Sequence, residues 1–213
     1  PGASTLSTFV YLQGVIDYDK QIGANYRISG SLIGTGQQTM NANASTLFNA
    51  LPFRNLTLAG RSTVSHKNKY FLEFNFGYNG SERFSEDHRF GFFPTIGASW
   101  ILSEEKFWGN LYQVFDRFKL RGSYGLVGND AIGAQRFFYL SDVNLNGGNY
   151  AYFGANNAYY RPGVHINNYE NRDVTWETSR QLNLGLEFSL LKKINVIAEV
   201  YQNDKYNILQ TRT

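Results

Sequence analysis

Glu104 and Glu105 stand side by side, and Glu82, Glu86 and Asp87 form a looser acidic group. Two carboxyl groups can hydrolyse a glycosidic bond when they flank the sugar ring. Neighbours on one strand or turn face different ways, however, so the spacing favours a solvated turn. The looser group offers oxygens of the kind that calcium takes, but calcium needs six to eight ligands and the group does not make a metal site the expectation. His66, His88 and His165 lie far apart with no ligand spacing, and cysteine is absent. Zinc sites, disulfides and a Cys nucleophile therefore drop out. No Ser-His-Asp order or phosphate loop appears, and Gly125-Leu126-Val127-Gly128 lacks the strand-then-helix frame of a dinucleotide fingerprint. The expectation is a protein that is not an enzyme, with no catalytic residues, no metal and no cofactor.

The residues best suited to holding something are aromatic. Tyr150, Tyr152, Phe153, Tyr159 and Tyr160 lie among Asn146, Gly147, Gly148, Asn149, Asn156 and Asn157. Rings that stack on sugar faces, with amides bonding the hydroxyls, would make a glycan platform. The same rings suit a protein partner, because Tyr is favoured at wet interfaces. These five residues are the candidate substrate- or partner-contacting site. The 20 Lys and Arg residues are scattered and the net charge is only +3, so nucleic acid is not an expected partner.

The elements that must carry this loop are strands. Eight stretches alternate apolar and polar residues at period two, near 6–18, 26–34, 56–64, 70–79, 90–102, 118–126, 181–190 and 194–209. In the fourth, Tyr70, Leu72, Phe74, Phe76 and Tyr78 share one face, and Phe71, Glu73, Asn75, Gly77 and Asn79 share the other. Runs of about ten residues suffice for a tilted strand to cross a bilayer. The gaps alternate short and long, with a polar turn at His66–Lys69, another at Lys192–Lys193, and about fifty residues, Asn129–Arg180, between the sixth and seventh runs. A loop of that length in a compact domain is either functional or disordered. Ser103 could cap a short helical turn running into Glu104 and Glu105. Phe92, Phe93, Trp100, Phe107, Trp108 and Tyr112 gather near strand ends, as an interfacial girdle would. Glycines inside the strands, Gly60, Gly125 and Gly185 among them, suit a curved wall or close backbone approach. Aromatics form 16% of the chain. No run of 18 apolar residues predicts a transmembrane helix, and no signal peptide follows Pro1.

The stretch from Lys69 carries a resemblance. Tyr78-Asn79-Gly80-Ser81-Glu82-Arg83-Phe84 is followed by Arg89-Phe90-Gly91-Phe92-Phe93-Pro94-Thr95-Ile96-Gly97-Ala98-Ser99-Trp100. Then come Leu120-Arg121-Gly122-Ser123-Tyr124-Gly125-Leu126-Val127-Gly128-Asn129-Asp130 and Val174-Thr175-Trp176-Glu177. In this order the segments resemble the barrel of SusC/RagA-type TonB-linked outer-membrane transporters. The resemblance implies a barrel of about twenty-two strands, an amino-terminal plug in its lumen, a TonB-contacting segment and a SusD-like lipoprotein lid. It also implies import of oligosaccharides or peptides across the bacterial outer membrane.

The fold class expected is all-β: antiparallel up-and-down transmembrane strands, about eight of a larger barrel. Residues 1–213 are expected to form part of the barrel domain, without the plug and without the final strands. Expected partners are membrane lipid, the lid lipoprotein, the TonB complex through the part that is missing here, and the substrate. A soluble β-sandwich acting as a carbohydrate-binding module is the alternative, with a carboxylate glycoside hydrolase as a third.

Overall fold

A computed structural model describes residues 6–42, 47–133, 136–148 and 150–210. Among the described residues twelve strands follow in order: β1 (Leu6–Ile22), β2 (Tyr26–Ala42), β3 (Phe53–His66), β4 (Tyr70–Ser81), β5 (Phe90–Ile101), β6 (Phe115–Asn129), β7 (Asp142–Asn144), β8 (Ala151–Phe153), β9 (Tyr159–Arg161), β10 (His165–Asn168), β11 (Glu177–Leu190) and β12 (Ile194–Tyr206). Eight of them make one antiparallel sheet in the order β1-β2-β3-β4-β5-β6-β11-β12. This is the up-and-down meander that the alternation predicts. Six of these eight strands run longer than expected, while β5 and β12 stop short of Leu102 and Leu209. β2 continues to Ala42 and β3 begins at Phe53, so the gap between them shrinks to 43–52. β1 and β12 are the two edges of the sheet.

One regularity runs through the register. In each main-sheet ladder, even-numbered residues pair with even and odd with odd, until a bulge at Ser189/Leu190 sets Leu190 opposite Phe115. Side chains alternate along a strand, so matched parity keeps one face continuous across all eight strands. The row Ile28, Val64, Leu72, Ala98, Gly122, Leu184, Val200 is apolar across seven strands and ends at Lys20 on the edge strand β1. Its odd-numbered neighbour is Ser29, Thr63, Glu73, Gly97, Ser123, Asn183, Tyr201. Leu12, Ile16, Leu72, Phe74, Ile96, Leu184 and Val200 stand exposed on the apolar side. Among the described residues no second layer covers them, which is how the sheet departs from a sandwich. Among the described residues no helix is long and apolar enough to cross a membrane.

The polar side is held by ion pairs. Arg61 Nη2 reaches Glu73 at 2.6 Å, and Asn75 Nδ2 donates to the same carboxylate at 2.7 Å. Arg121 Nε donates to Glu187 at 2.9 Å, and its Nη2 reaches Glu199 two strands away. Gly185 is the residue between Arg121 and Glu199 in the register. A Cβ there would lie 2.8 Å from Arg121 Nε, so this glycine lets the guanidinium cross its strand.

At the short-turn end, Lys67 and Asn68 both take positive φ, as do Leu191 and Lys192. Two such residues are what a tight twisted hairpin requires. A row of rings runs along this rim: Tyr26, His66, Tyr70, Trp100 and Phe107, with successive centroids 4.4, 6.1, 6.1 and 6.4 Å apart. The girdle expected from the sequence is thus only partly right. Trp108 is buried, its Nε1 donating to the Phe115 carbonyl at 3.0 Å and its ring against Phe118. Phe93 turns to the polar side and is buried. The Ser103 turn is a 3-10 turn, Leu102–Glu104, with Ser103 buried inside it and no side-chain cap.

Candidate functional site

β5 and β6 pair only between Thr95↔Gly125 and Ile101↔Lys119. Beyond Thr95, β5 stays with β4 while β6 follows β11. The gap that opens is filled by Phe84, Phe93, Phe138, Val174 and Trp176, with Leu126 and Ile132 packed against them. Trp176 lies 5.2 Å from Phe84 and 5.4 Å from Phe93, centroid to centroid. Gly91 and Gly128 leave the room that the Phe93 ring occupies, since a Cβ at either would collide with it. Four of the sequence segments that carried the resemblance meet here. They supply Phe84, Phe93, Trp176 and, beside them, Asp130.

A polar collar completes the junction. Ser81 Oγ donates to Asp130 Oδ2 at 2.7 Å and Asn55 Nδ2 to the same oxygen at 3.4 Å. Phe138 N donates to the Arg83 carbonyl at 3.2 Å, Asn171 N to the Phe138 carbonyl at 2.8 Å, and Ser85 Oγ to the Arg172 carbonyl at 2.8 Å. The 82–89 connection is thereby stitched to both ends of the long loop. Burial pushes the Tyr139 hydroxyl of this junction above its ordinary pKa.

The long loop is a hairpin within a hairpin. β7 pairs with β10, then Gly147 N donates to the Gly163 carbonyl and Gly163 N to the Gly148 carbonyl, then β8 pairs with β9. Sequence reading missed these four short strands, because three-residue runs carry too little alternation to register. Four of the five predicted aromatics fall on the outer ladder, and Tyr150 immediately precedes it. Tyr152 pairs with Tyr160 and Phe153 with Tyr159. Tyr150 meets Tyr160 edge to face at 5.2 Å and lies 6.4 Å from Tyr152. Arg161 stands over the Tyr159 ring at 5.2 Å. All five rings are about half exposed. Asn156 and Asn157 hold positive φ at the tip. Asn149, one of the amides grouped with these rings, lies outside the described residues.

The acidic groups separate. Glu105 Oε1 accepts from Tyr70 OH at 2.5 Å and from Trp100 Nε1 at 3.3 Å, and Lys69 lies 3.6 Å from its other oxygen. The Glu104 side chain is exposed, and its carbonyl accepts from Lys69 Nζ. These two carboxylates therefore do not face one ligand. The Tyr70 hydroxyl, against opposing burial and with help from Trp100 and Lys69, holds the Glu105 carboxyl below its ordinary value. Glu82 accepts from Arg54 N at 3.0 Å, while Glu86 and Asp87 stand exposed in a 3-10 turn. Among the described residues no three His, Cys, Asp or Glu are placed to hold a metal ion.

No protein-family model matches the chain. It is 32% identical over 227 residues to TonB-dependent receptor P26 of Formosa agariphila, covering 92% of this chain and 22% of that protein. It is 34% identical over 135 residues to TonB-dependent receptor SusC of Bacteroides thetaiotaomicron, covering 62% of this chain and 13% of SusC. The chain thus spans about a fifth or less of the length of these relatives. The solved structure of the RagAB peptide transporter superposes with a TM-score of 0.72 at 15% identity, over 96% of this chain and 24% of that one. Sequence kinship, shared barrel fold and the continuous apolar face agree: the chain belongs to the SusC/RagA-type TonB-dependent receptors and forms a stretch of their outer-membrane barrel.

Proposed function

We propose that residues 1–213 are one wall segment of a TonB-dependent importer in the bacterial outer membrane. The remainder of the polypeptide would supply the other strands and a plug within the lumen. The even-numbered face meets lipid and the odd-numbered face lines the pore. The observation that carries this reading is the matched parity of the register, interrupted at the Ser189/Leu190 bulge, which leaves an apolar surface across the eight strands on which nothing among the described residues packs. An open sheet edge is not tolerated in lipid, so β1 and β12 are proposed to pair with further strands of the same barrel.

The 130–176 loop is proposed to engage a SusD-like lipoprotein lid over an oligosaccharide or peptide substrate. Half-exposed tyrosines beside an arginine are the composition of a protein interface. No side-chain chemistry is required of the wall itself, which seals, holds and guides.

The test uses the full-length transporter isolated with its lipoprotein. Replacing Tyr152 and Tyr160 together by Ala should release the lid while the barrel still inserts. The Phe153/Tyr159 pair, on the opposite face of the hairpin, serves as the second variant. Unchanged lid association and unchanged uptake in both would remove the hairpin from the mechanism. A purified chain that stays folded and monomeric in plain buffer would overturn the membrane reading.

A further inference from the structure

The outer end of the polar face carries a cationic corner. Phe53 begins β3 and pairs with Thr39, near the end of β2 where the long connections leave the sheet. Two guanidinium groups stand over its ring: Arg136 Cζ at 4.7 Å and Arg83 Cζ at 5.5 Å from the centroid. They arrive from different connections, Arg83 from 82–89 and Arg136 from the long loop. Arg83 Nη1 also donates to the Gly133 carbonyl at 2.9 Å, which fixes where its charge sits. An aromatic ring attracts one cation to its face. Two cations on one ring repel each other, and a shared anion relieves that repulsion. Among the described residues Arg136 makes no ion pair.

A cleft of about 620 Å³ opens beside this corner, between the helical turn Leu47–Ala50 and the base of the long loop. Phe48, Leu140, Asp142, Asn144 and Asn167 are among the residues that line it. The Phe48 ring lies 6.5 Å from that of Phe137, the residue after Arg136, so cleft and cation pair adjoin. That volume is within the range of small-molecule sites. Its lining mixes apolar side chains and amides with the Asp142 carboxylate, to which Asn167 Nδ2 donates at 3.0 Å, so it suits hydrogen-bonding units that carry no negative charge of their own.

We propose that this corner is a subsite for a carboxylate borne on the imported oligomer: the guanidinium groups of Arg136 and Arg83 clamp the anion, and the cleft receives the neutral units beside it. The proposal rests on the import reading above and specifies what the mouth prefers. Arginine presents planar paired donors that match a carboxylate. The carboxylate belongs either to a peptide terminus or to an acidic sugar, and the test separates the two.

Full-length transporter in detergent, with its lipoprotein, is titrated calorimetrically with N-acetyl-triglycine and its amide, and with trigalacturonate and its methyl ester. One acid should bind about tenfold or more tightly than its neutral counterpart, as expected for charge-assisted hydrogen bonds made or lost. The arm that shows this identifies the source. Arg136→Gln should abolish the difference, Arg136→Lys should keep part of it, and Arg161→Gln, out on the hairpin, should leave it intact. Heat-modifiable gel migration shows that each variant is folded. Equal binding of acid and neutral probes, no binding of either, or a preference that survives Arg136→Gln overturns the subsite. Loss of the preference with import intact overturns the subsite alone. Absence of import with the preference intact overturns the transport reading alone.

Discussion

Phe93 on β5 and Trp176 at the close of the long loop meet edge to face, ring centroids 5.4 Å apart, though 83 positions separate them in the chain by their numbering. Their contact closes the gap where β5 and β6 part, and it roots the loop that carries the exposed tyrosines. Trp176→Ala should therefore cost about 3–5 kcal/mol of barrel stability, as for other buried aromatic truncations. Trp176→Phe should cost far less. Urea unfolding of the detergent-folded protein measures both. Limited proteolysis should cut the Ala variant within 136–171 before any strand is attacked, and a resistant loop would show that it is rooted elsewhere.

Gly185 lies beneath the Arg121 side chain on its way to Glu199. Gly185→Val should push the guanidinium off this path, at about 1–3 kcal/mol for the overpacking. Arg121→Met in the same background should add little, because the ion pairs are already broken. Fully additive costs in this double-mutant cycle would mean that Arg121 does not cross at Gly185.

Glu105 ties the His66–Lys69 turn to the connection after β5 through Tyr70, Trp100 and Lys69. Its carboxyl is held below the ordinary value in the folded protein. A carboxyl with a depressed folded pKa stabilises the fold at every pH above its unfolded value, and the contribution disappears as pH falls through the folded one. The clasp should hold from neutral pH down to the ordinary carboxylate range and open below it. Trp100 fluorescence reports this, and Glu105→Gln should flatten the profile. An identical acid transition in that variant would assign the transition to another group.

Leu184 and Phe74 lie on the even-numbered face, Asn183 and Asn75 on the odd. Nitroxide labels at the first two positions should relax with lipid-dissolved oxygen and resist water-soluble nickel reagents. Labels at the second two should respond to the plug-filled or watery lumen instead. Reversed accessibility at either pair would invert the assignment of the faces.

The strands and their faces were legible in the sequence because alternation is local. Tyr70, Leu72, Phe74, Phe76 and Tyr78 announce one apolar side whatever they pair with. The polar turns at His66–Lys69 and Lys192–Lys193 were equally local, though in the second the positive-φ pair is Leu191 and Lys192. The five aromatics of the loop were legible as a group, since they stand close together in the chain. Their arrangement was not. Tyr152 faces Tyr160, rather than Tyr159, only because β8 and β9 pair in one register.

Tertiary structure alone decided what the segments that carry the family resemblance do for the fold. Phe84, Phe93, Asp130 and Trp176 are spread over nearly half of the chain, and nothing in a single strand's pattern says that they meet. They meet because β5 abandons β6 beyond Thr95, and only paired strands reveal where pairing ends. The same holds for Glu104 and Glu105, neighbours in sequence whose roles diverge, and for Arg83 and Arg136, distant in sequence yet set over one ring. Periodicity fixes which way a side chain leaves its own strand. Register and loop closure, which are relations between strands, fix what it finds there.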